Sequence, residues 1–367
     1  MDIIYLDHSA ATRQYDSVTE EMTRVMRDVY GNPSSLHTMG VAAERTVKTA
    51  RRQVAESLGV APSDVYFTSG GTESNNLALT GAVHAARVKG VVTTAAEHKS
   101  VLEPLKNLGN TRYVAVDGKG IADLDGLERV IDGETALVSV SHVNSESGAV
   151  QPIEEISRII KAKNPKTLLH VDAAQSYRKL PLSARFADLI SVSAHKIHGP
   201  KGVGALYVRK GVKISPVLFG GGQENTMRSG TENTPAIAGF GVAAGVDWDY
   251  ARVCGFNALL RGMLEGVVVN SADGSPYILN VSAVGIRSEV LLHALEQRGV
   301  IVSSGSACSS RRPRPSHVLT AMGLPRGVID GSIRISFSHC NTREEISKAG
   351  GIINAVIAEL RAQCVRG

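Results

Sequence analysis

The sequence predicts an α/β protein, a doubly wound and mostly parallel sheet followed by a smaller α+β region. Three observations lead there. Seven short β-rich runs alternate with helical stretches: VYFT (65–68), VVTT (91–94), YVAV (113–116), ALVSVSHV (136–143), LLHVD (168–172), LISVS (189–193) and ALYVR (205–209). The runs are apolar on both faces, as strands are when helix layers cover both sides of a sheet. Beyond about residue 250 the rhythm changes to ILNVSAV, SEVLLHALEQRG, VIVSSGSAC and SIRISFS, which reads as a second unit. The expected division is a large domain over 15–248 and a small one formed by 1–14 plus 249–367.

The punctuation supports this. Val47, Ala50, Val54 and Leu58 recur at helical spacing and Gly59 with Pro62 ends the run, so a first helix of about twenty residues is expected. The last helix starts at the capping box Thr342 to Glu345. A chain of 367 residues, 43% hydrophobic and 20% charged, has enough apolar material for two cores and is unlike a disordered, collagenous or coiled-coil chain. Its 40 basic and 35 acidic residues are scattered, so no nucleic-acid partner is expected. Cys254, Cys308, Cys340 and Cys364 have no close spacing, which argues against a metal site or a disulfide scaffold and for a reducing compartment. The opening MDIIYLDHSAAT has no basic n-region, and no long apolar stretch occurs. The expectation is a soluble cytoplasmic protein without a membrane partner.

Ligands of open parallel sheets bind beyond the carboxyl ends of the strands, and the unusual residues cluster there. TSGGTESNN (68–76) follows a strand and opens a helix, a turn that can face an anion or simply be a turn. His98, Asn144, Asp172 and Gln175 each follow a strand run. Singly, such residues are commonly turn formers, caps or satisfied histidines; together they share one sheet edge. SVSAHKIHGPKG (191–202) places Ser193, His195 and Lys196 directly after an apolar strand. Lys201 reads as a surface lysine, whereas Lys196 continues a buried strand. An amine there can form a Schiff base with an aldehyde, and a carboxylate such as Asp172 can keep a pyridine nitrogen protonated, a pair that implies pyridoxal phosphate.

Seven strings in order, TSGGTESNNLA, EHKSV, HVNSESG, HVDAAQS, SAHKIHGPKG, MRSGTEN and SSGSACSS, make the chain resemble the cysteine desulfurases, class-V-aminotransferase-like enzymes of the fold-type I pyridoxal-phosphate group. The resemblance implies that Lys196 carries the cofactor and Asp172 pairs with its ring nitrogen. His98 stacks on the ring and assists proton transfer, while Gln175 and Asn144 contact the phenolic oxygen and the substrate. Gly71, Thr72, Ser193 and His195 hold the phosphate. Thr231 reaches the neighbouring subunit's phosphate, implying a homodimer with shared sites, and Asn32 and Arg334 bind the substrate carboxylate. Cys308, in the small-residue segment SSGSACSS, is the expected nucleophile, taking sulfur from L-cysteine as a persulfide and passing it to an acceptor protein such as a scaffold or thiolation enzyme. For Cys254, Cys340 and Cys364 the expectation is an inert thiol.

Three features depart from the family pattern. Ser145 and Ser147 flank Glu146 where relatives read NNE, Arg311, Arg312 and Arg314 follow the nucleophile, and the stretch around 245–275 is short. The arginines either favour the thiolate and dock an acidic acceptor or form a solvated basic loop. A selenocysteine lyase, an aminotransferase on the same fold, or a catalytically silent assembly partner are the alternative readings.

Overall fold

The computed structural model of the protein describes residues 3–271, 274–304 and 315–366, with side chains up to Gln363. Cys308, Arg311, Arg312 and Arg314 lie outside the described residues, as does the side chain of Cys364.

After the short strand β1 (Ile4–Tyr5) comes α1 (Asp16–Asp28), which the sequence reading did not anticipate. It buries only Val18 and Val25, too sparse an apolar stripe to stand out among its charges. The expected long helix is α2 (Thr38–Leu58). It buries Val47, Ala50, Val54 and Leu58 and stops at Gly59, whose φ of 67° suits a residue without Cβ. Strands and helices then alternate: β2 (Val65–Thr68), α3 (Gly71–Ala85), β3 (Gly90–Thr94), α4 (Lys99–Leu108), β4 (Thr111–Val114), α5 (Leu124–Val130), β5 (Thr135–Ser141), α6 (Ile153–Lys163), β6 (Leu168–Asp172), β7 (Leu189–Ser193) and β8 (Gly204–Val208).

These strands form one seven-stranded sheet in the order β2-β8-β7-β6-β5-β3-β4. β8 runs antiparallel to both its neighbours and the other pairs are parallel. Two runs stop or start elsewhere than expected. β4 is an edge strand in register with β3 from Thr111 to Val114, so it ends where its partner ends, and Val116 instead bridges Ala122 across a turn. β5 stops at Ser141, and Val143 bridges Val150. Side chains alternate across the sheet. Val138, Val140, Leu169, Val171, Ile190 and Val192 join a core with α2 and α6, while Leu137, Leu189 and Leu206 join a second core with α3 and α4.

The rest of the chain contributes α7 (Thr234–Ala244), α8 (Tyr250–Met263), β9 (Val268–Val269), β10 (Ile278–Ser282), α9 (Ser288–Gln297), β11 (Val300–Ile301), α10 (His317–Ala321), α11 (Arg326–Asp330), β12 (Ser332–Ser336) and α12 (Arg343–Arg366). Helix α7 packs on α1 and α2. β10 lies between β12 and β9, antiparallel to both, and β1 pairs in parallel with β11. A further core joins both ends of the chain: Ile4 and Leu6 pack with Leu279, Val281, Ile333, Ile335 and Ile353. The capping box at α12 is reciprocal, with Glu345 N–H donating to Thr342 Oγ1 (3.1 Å) and Thr342 N–H to the Glu345 carboxylate (3.0 Å). Between β1 and α1 the chain crosses the carboxyl ends of the sheet, where Thr12 N–H donates to His195 O (3.0 Å) and Tyr15 N–H to His198 O (3.1 Å). Among the described residues no helix is long and apolar enough to cross a membrane.

Candidate active site

Because β5, β6 and β7 run in parallel, their last residues, Ser141, Asp172 and Ser193, come out at one edge of the sheet. The turns that follow, the first turn of α3, the start of α4, the 9–11 segment and β12 enclose a cavity of about 530 Å³ there. Of the predicted site residues, Lys196, His98, Asp172, Gln175, Gly71, Thr72, Ser193, His195, Asn144 and Arg334 all line it.

Lys196 ends a single 3-10 turn after β7. Its Nζ donates to the carbonyls of Ser9 (2.5 Å) and Ala10 (2.8 Å). Gln175 Nε2 also donates to Ser9 O, at 2.9 Å, which leaves Gln175 Oε1 buried with no partner in the protein. Asp172, 6% exposed, ends β6. Its Oδ1 accepts from Ala174 N–H (2.9 Å) and its Oδ2 from Asn75 Nδ2 (2.7 Å).

Asn75, quoted within TSGGTESNN in the sequence reading without being singled out, also lines the cavity. Its amide donates both to Asp172 and to Ser100 Oγ (2.8 Å), and Ser100 Oγ meets His98 Nδ1 at 2.8 Å. One chain of hydrogen bonds therefore joins the group expected at the ring nitrogen to the group expected to stack on the ring. His98 caps α4, its Nδ1 accepting from Ser100 N–H (3.1 Å), so a proton on the neutral imidazole belongs to Nε2. Burial holds its pKa below the ordinary histidine value, against the pull of Asp172.

At the opposite end of the cavity floor, Gly70 and Gly71 open α3 after β2. Gly70 has φ 150°, available in practice only to glycine. A Cβ on Gly204 would meet the Gly70 Cα at 2.8 Å, so β8 presses this turn into place. The unpaired N–H groups of the first turn of α3 face the side occupied by Ser193 and His195, whose Oγ and Nδ1 lie 3.0 Å apart. Burial, aided by the charge of Lys196, pushes His195 down to about 4, so it is a neutral hydrogen-bonding group at neutral pH.

The remaining residues behave differently from one another. Asn144 Oδ1 accepts from the N–H groups of Glu146 and Ser147 (2.9 Å each) and its Nδ2 donates to Ala96 O (2.8 Å), so much of this amide is spent on holding its own loop. Arg334 on β12 gives Nη2 to Asp7 Oδ1 (2.8 Å) and Nη1 to Ser145 O (3.0 Å), and its Nε is buried without a partner. The contact at 145 is made by the backbone, so serine there leaves it unchanged. Asn32 is not brought to the cavity. It is exposed, and its Oδ1 accepts from Ser34 N–H (2.9 Å) in a local turn of the GNPSS segment. Thr231 is exposed and outside the lining. Cys340, expected to be inert, is exposed beside His198.

The donor set fits pyridoxal phosphate. It offers N–H groups and hydroxyls for an anion, a carboxylate for a protonated ring nitrogen, an imidazole tied to that carboxylate through Asn75 and Ser100, an amine, and an orphaned buried carbonyl on Gln175 that wants a donor.

The family model for class-V aminotransferases matches residues 4–348. A cysteine desulfurase of Trichormus azollae is 41% identical, the match covering 99% of this chain and 94% of that one. The cysteine desulfurase IscS of Methanosarcina thermophila is 38% identical over 98% of this chain and 93% of its own. A solved NifS-like protein superposes with a TM-score of 0.90 at 40% identity, covering 98% of this chain and all of that one. The structure of SspA in complex with cysteine gives 0.83 at 34% identity, covering 92% and 99%. The chain belongs to the class-V aminotransferase family, among its cysteine desulfurases.

Proposed function

We propose that the protein converts L-cysteine to L-alanine, taking the sulfur onto Cys308 as a persulfide and passing it to an acceptor. The observation that carries this reading is the convergence of Lys196, Asp172 and His98 on one cavity that has an arginine, Arg334, at its far wall.

When bound, pyridoxal phosphate supplies a carbonyl carbon that condenses with an amine and a protonated ring that accepts the electron pair released at the substrate's α-carbon. Everything else falls to side chains. Asp172, kept in line by Asn75 and Ala174 N–H, would hold the ring nitrogen's proton in a charge-assisted hydrogen bond. His98, kept neutral by burial, would stack on the ring and assist proton transfer through Nε2, its Nδ1 being engaged by Ser100. Lys196, once its amine is released, takes the proton from the α-carbon and returns one to the product. Arg334 presents a planar fork to the substrate carboxylate. Gly71, Thr72, Ser193 and His195 fix the phosphate.

Cys308 thiolate attacks the substrate sulfur: an S–S bond forms, the carbon–sulfur bond breaks, and the electron pair stays with the carbon fragment that leaves as alanine. Ser303 and Ser304, the nearer of them four residues before Cys308 in the sequence, line the cavity. On the other side of that segment, Ser316 Oγ donates to the buried Glu146 carboxylate (2.5 Å) and His317 Nε2 contacts Glu97 O (2.9 Å). Thr231 and Asn32, both exposed, are left for a second copy of the chain to use.

Mass spectrometry after incubation with L-cysteine tests the reading. One added sulfur on Cys308, with alanine released, is expected. A keto acid with no enzyme-bound sulfur would point to an aminotransferase, and sulfide release at an undiminished rate from Cys308→Ser with a reductant present would remove the nucleophile from its role.

A further inference from the structure

We propose that His198, His339 and Cys340 form a binding site for a thiophilic divalent ion of the zinc type, with a fourth position open to the neighbouring cleft. The site lies behind the cofactor cavity and does not depend on how that cavity is read. The three ligand atoms lie within 4.8 Å of one another, with His198 Nε2 and Cys340 Sγ at 4.0 Å. A tetrahedral zinc ion with bonds of about 2.0–2.3 Å sets its nitrogen and sulfur donors roughly 3.4–3.6 Å apart. The exposed Cys340 side chain has the freedom to close that gap.

The hydrogen bonds around the imidazoles are those of metal ligands. His198 is 2% exposed, and its Nδ1 faces the Arg13 carbonyl at 2.7 Å. A carbonyl only accepts, so Nδ1 carries the proton and Nε2 the lone pair. A backbone acceptor on the far nitrogen is how proteins commonly orient a ligating histidine. Nε2 now accepts from Ser338 Oγ (2.7 Å), a hydroxyl that can turn aside. His339 meets Tyr15 OH through Nε2 (2.9 Å), while its Nδ1 is buried with no hydrogen-bond partner. Tyr15 stacks on both imidazoles.

The ligand set also selects the ion. One thiolate and two neutral imidazoles suit zinc, cobalt or copper and not magnesium or calcium. A thiolate would also offset Lys179 whenever that amine is protonated: Lys179 Nζ lies over Trp248 at 5.3 Å, and the Trp248 ring is 4.6 Å from that of His339. On the open side is a cleft of about 660 Å³ whose walls include His8, Thr12 and Asn341. It shares Ala11 and Lys201 with the cofactor cavity. A bound ion would staple the turn that carries Lys196 to the chain just past β12, which carries Arg334.

The test titrates metal-stripped holoenzyme with Co²⁺, the spectroscopic stand-in for zinc. Expected are one ion per chain, visible ligand-field bands of a four-coordinate site at wavelengths beyond the coenzyme absorption, displacement by Zn²⁺, and a raised melting temperature. Cys308→Ser should keep the bands. Cys340→Ser and His339→Gln should lose them while retaining coenzyme absorbance, and Tyr15→Phe should weaken binding about tenfold, the usual effect of removing an outer partner. Absence of the bands in the unmutated protein, their survival in Cys340→Ser, or their loss in Cys308→Ser would each overturn the assignment.

Discussion

The two ends of the cavity are built differently. At the cofactor end, Asp172, Asn75, Ser100 and His98 are joined in one line of hydrogen bonds, and the turn at Gly70 is clamped by β8. At the substrate end, Arg334 is shared between Asp7 and a backbone carbonyl and keeps one buried nitrogen unpaired. The first arrangement fixes the acid and the imidazole before any ligand arrives, as preorganised electrostatics require, although Asn75 Oδ1 and Gln175 Oε1 stay buried without a partner. The second is an exchangeable pairing, in which a substrate carboxylate competes with one the protein already holds.

The largest expected effect breaks the cofactor end outright. Lys196→Ala should lower turnover by on the order of 10³-fold or more, since it removes both the covalent anchor and the proton carrier; alanine production and the coenzyme absorption spectrum are the measurements. Next comes the substrate end. Arg334→Gln should cost about 10- to 100-fold in kcat/KM, the worth of hydrogen bonds to a charged group. Asp7→Asn sharpens the contrast, because it frees the guanidinium from its competitor. KM for cysteine should fall severalfold while the melting temperature drops, and an unchanged KM would mean that the pairing is not exchanged.

A smaller change is expected from Asn75→Ala. Leaving Asp172 Oδ2 and Ser100 short of a donor should cost about 1–3 kcal/mol, read as weaker coenzyme retention and a lower unfolding midpoint, with KM little altered.

The pH dependence comes last. Burial pushes His142, His170, His195 and His198 down to about 4 and His8 to about 3. The unfolded chain therefore binds more protons than the native one between about pH 4 and 6.5, so the stability from these neutral imidazoles is present above pH 6.5 and lost as pH falls toward 4. Glu97, pushed up to about 7 by burial, acts in the opposite sense over roughly pH 4.5–7. Glu146, also pushed up by burial, acts in the same sense as Glu97, but the five histidines outnumber the two acids, so unfolding midpoints should fall on acidification. Lys179, lowered from 10.5 to about 7 by burial, costs stability that grows as pH falls from about 10.5 to 7 and is full below 7, so Lys179→Met should raise the midpoint more at about pH 6–7 than at about pH 10.

Much of this was legible beforehand because it is local. Strand runs apolar on both faces, Gly59 after α2, and the capping box at Thr342 each state their structure within a few residues. Lys196, Asp172 and His98 were legible for a related reason: a parallel sheet sends the residue after every strand to the same edge. α1 was missed because two buried valines do not make a visible stripe, and β4 was misplaced because an edge strand takes its limits from its neighbour. Asn75 was passed over because nothing near it in sequence shows that its amide reaches a carboxylate at 172.

By itself, then, the sequence determined the fold class and the row of groups along the sheet edge, since periodicity and strand-end position are properties of short segments, while its seven ordered motifs carried the resemblance to the family. Tertiary structure alone decided which carboxylate occupies Arg334, that Asn32 faces solvent, and that a histidine after β7 meets a histidine and a cysteine after β12. Those outcomes depend on how segments more than a hundred residues apart are packed against each other, and spacing along the chain carries no record of that.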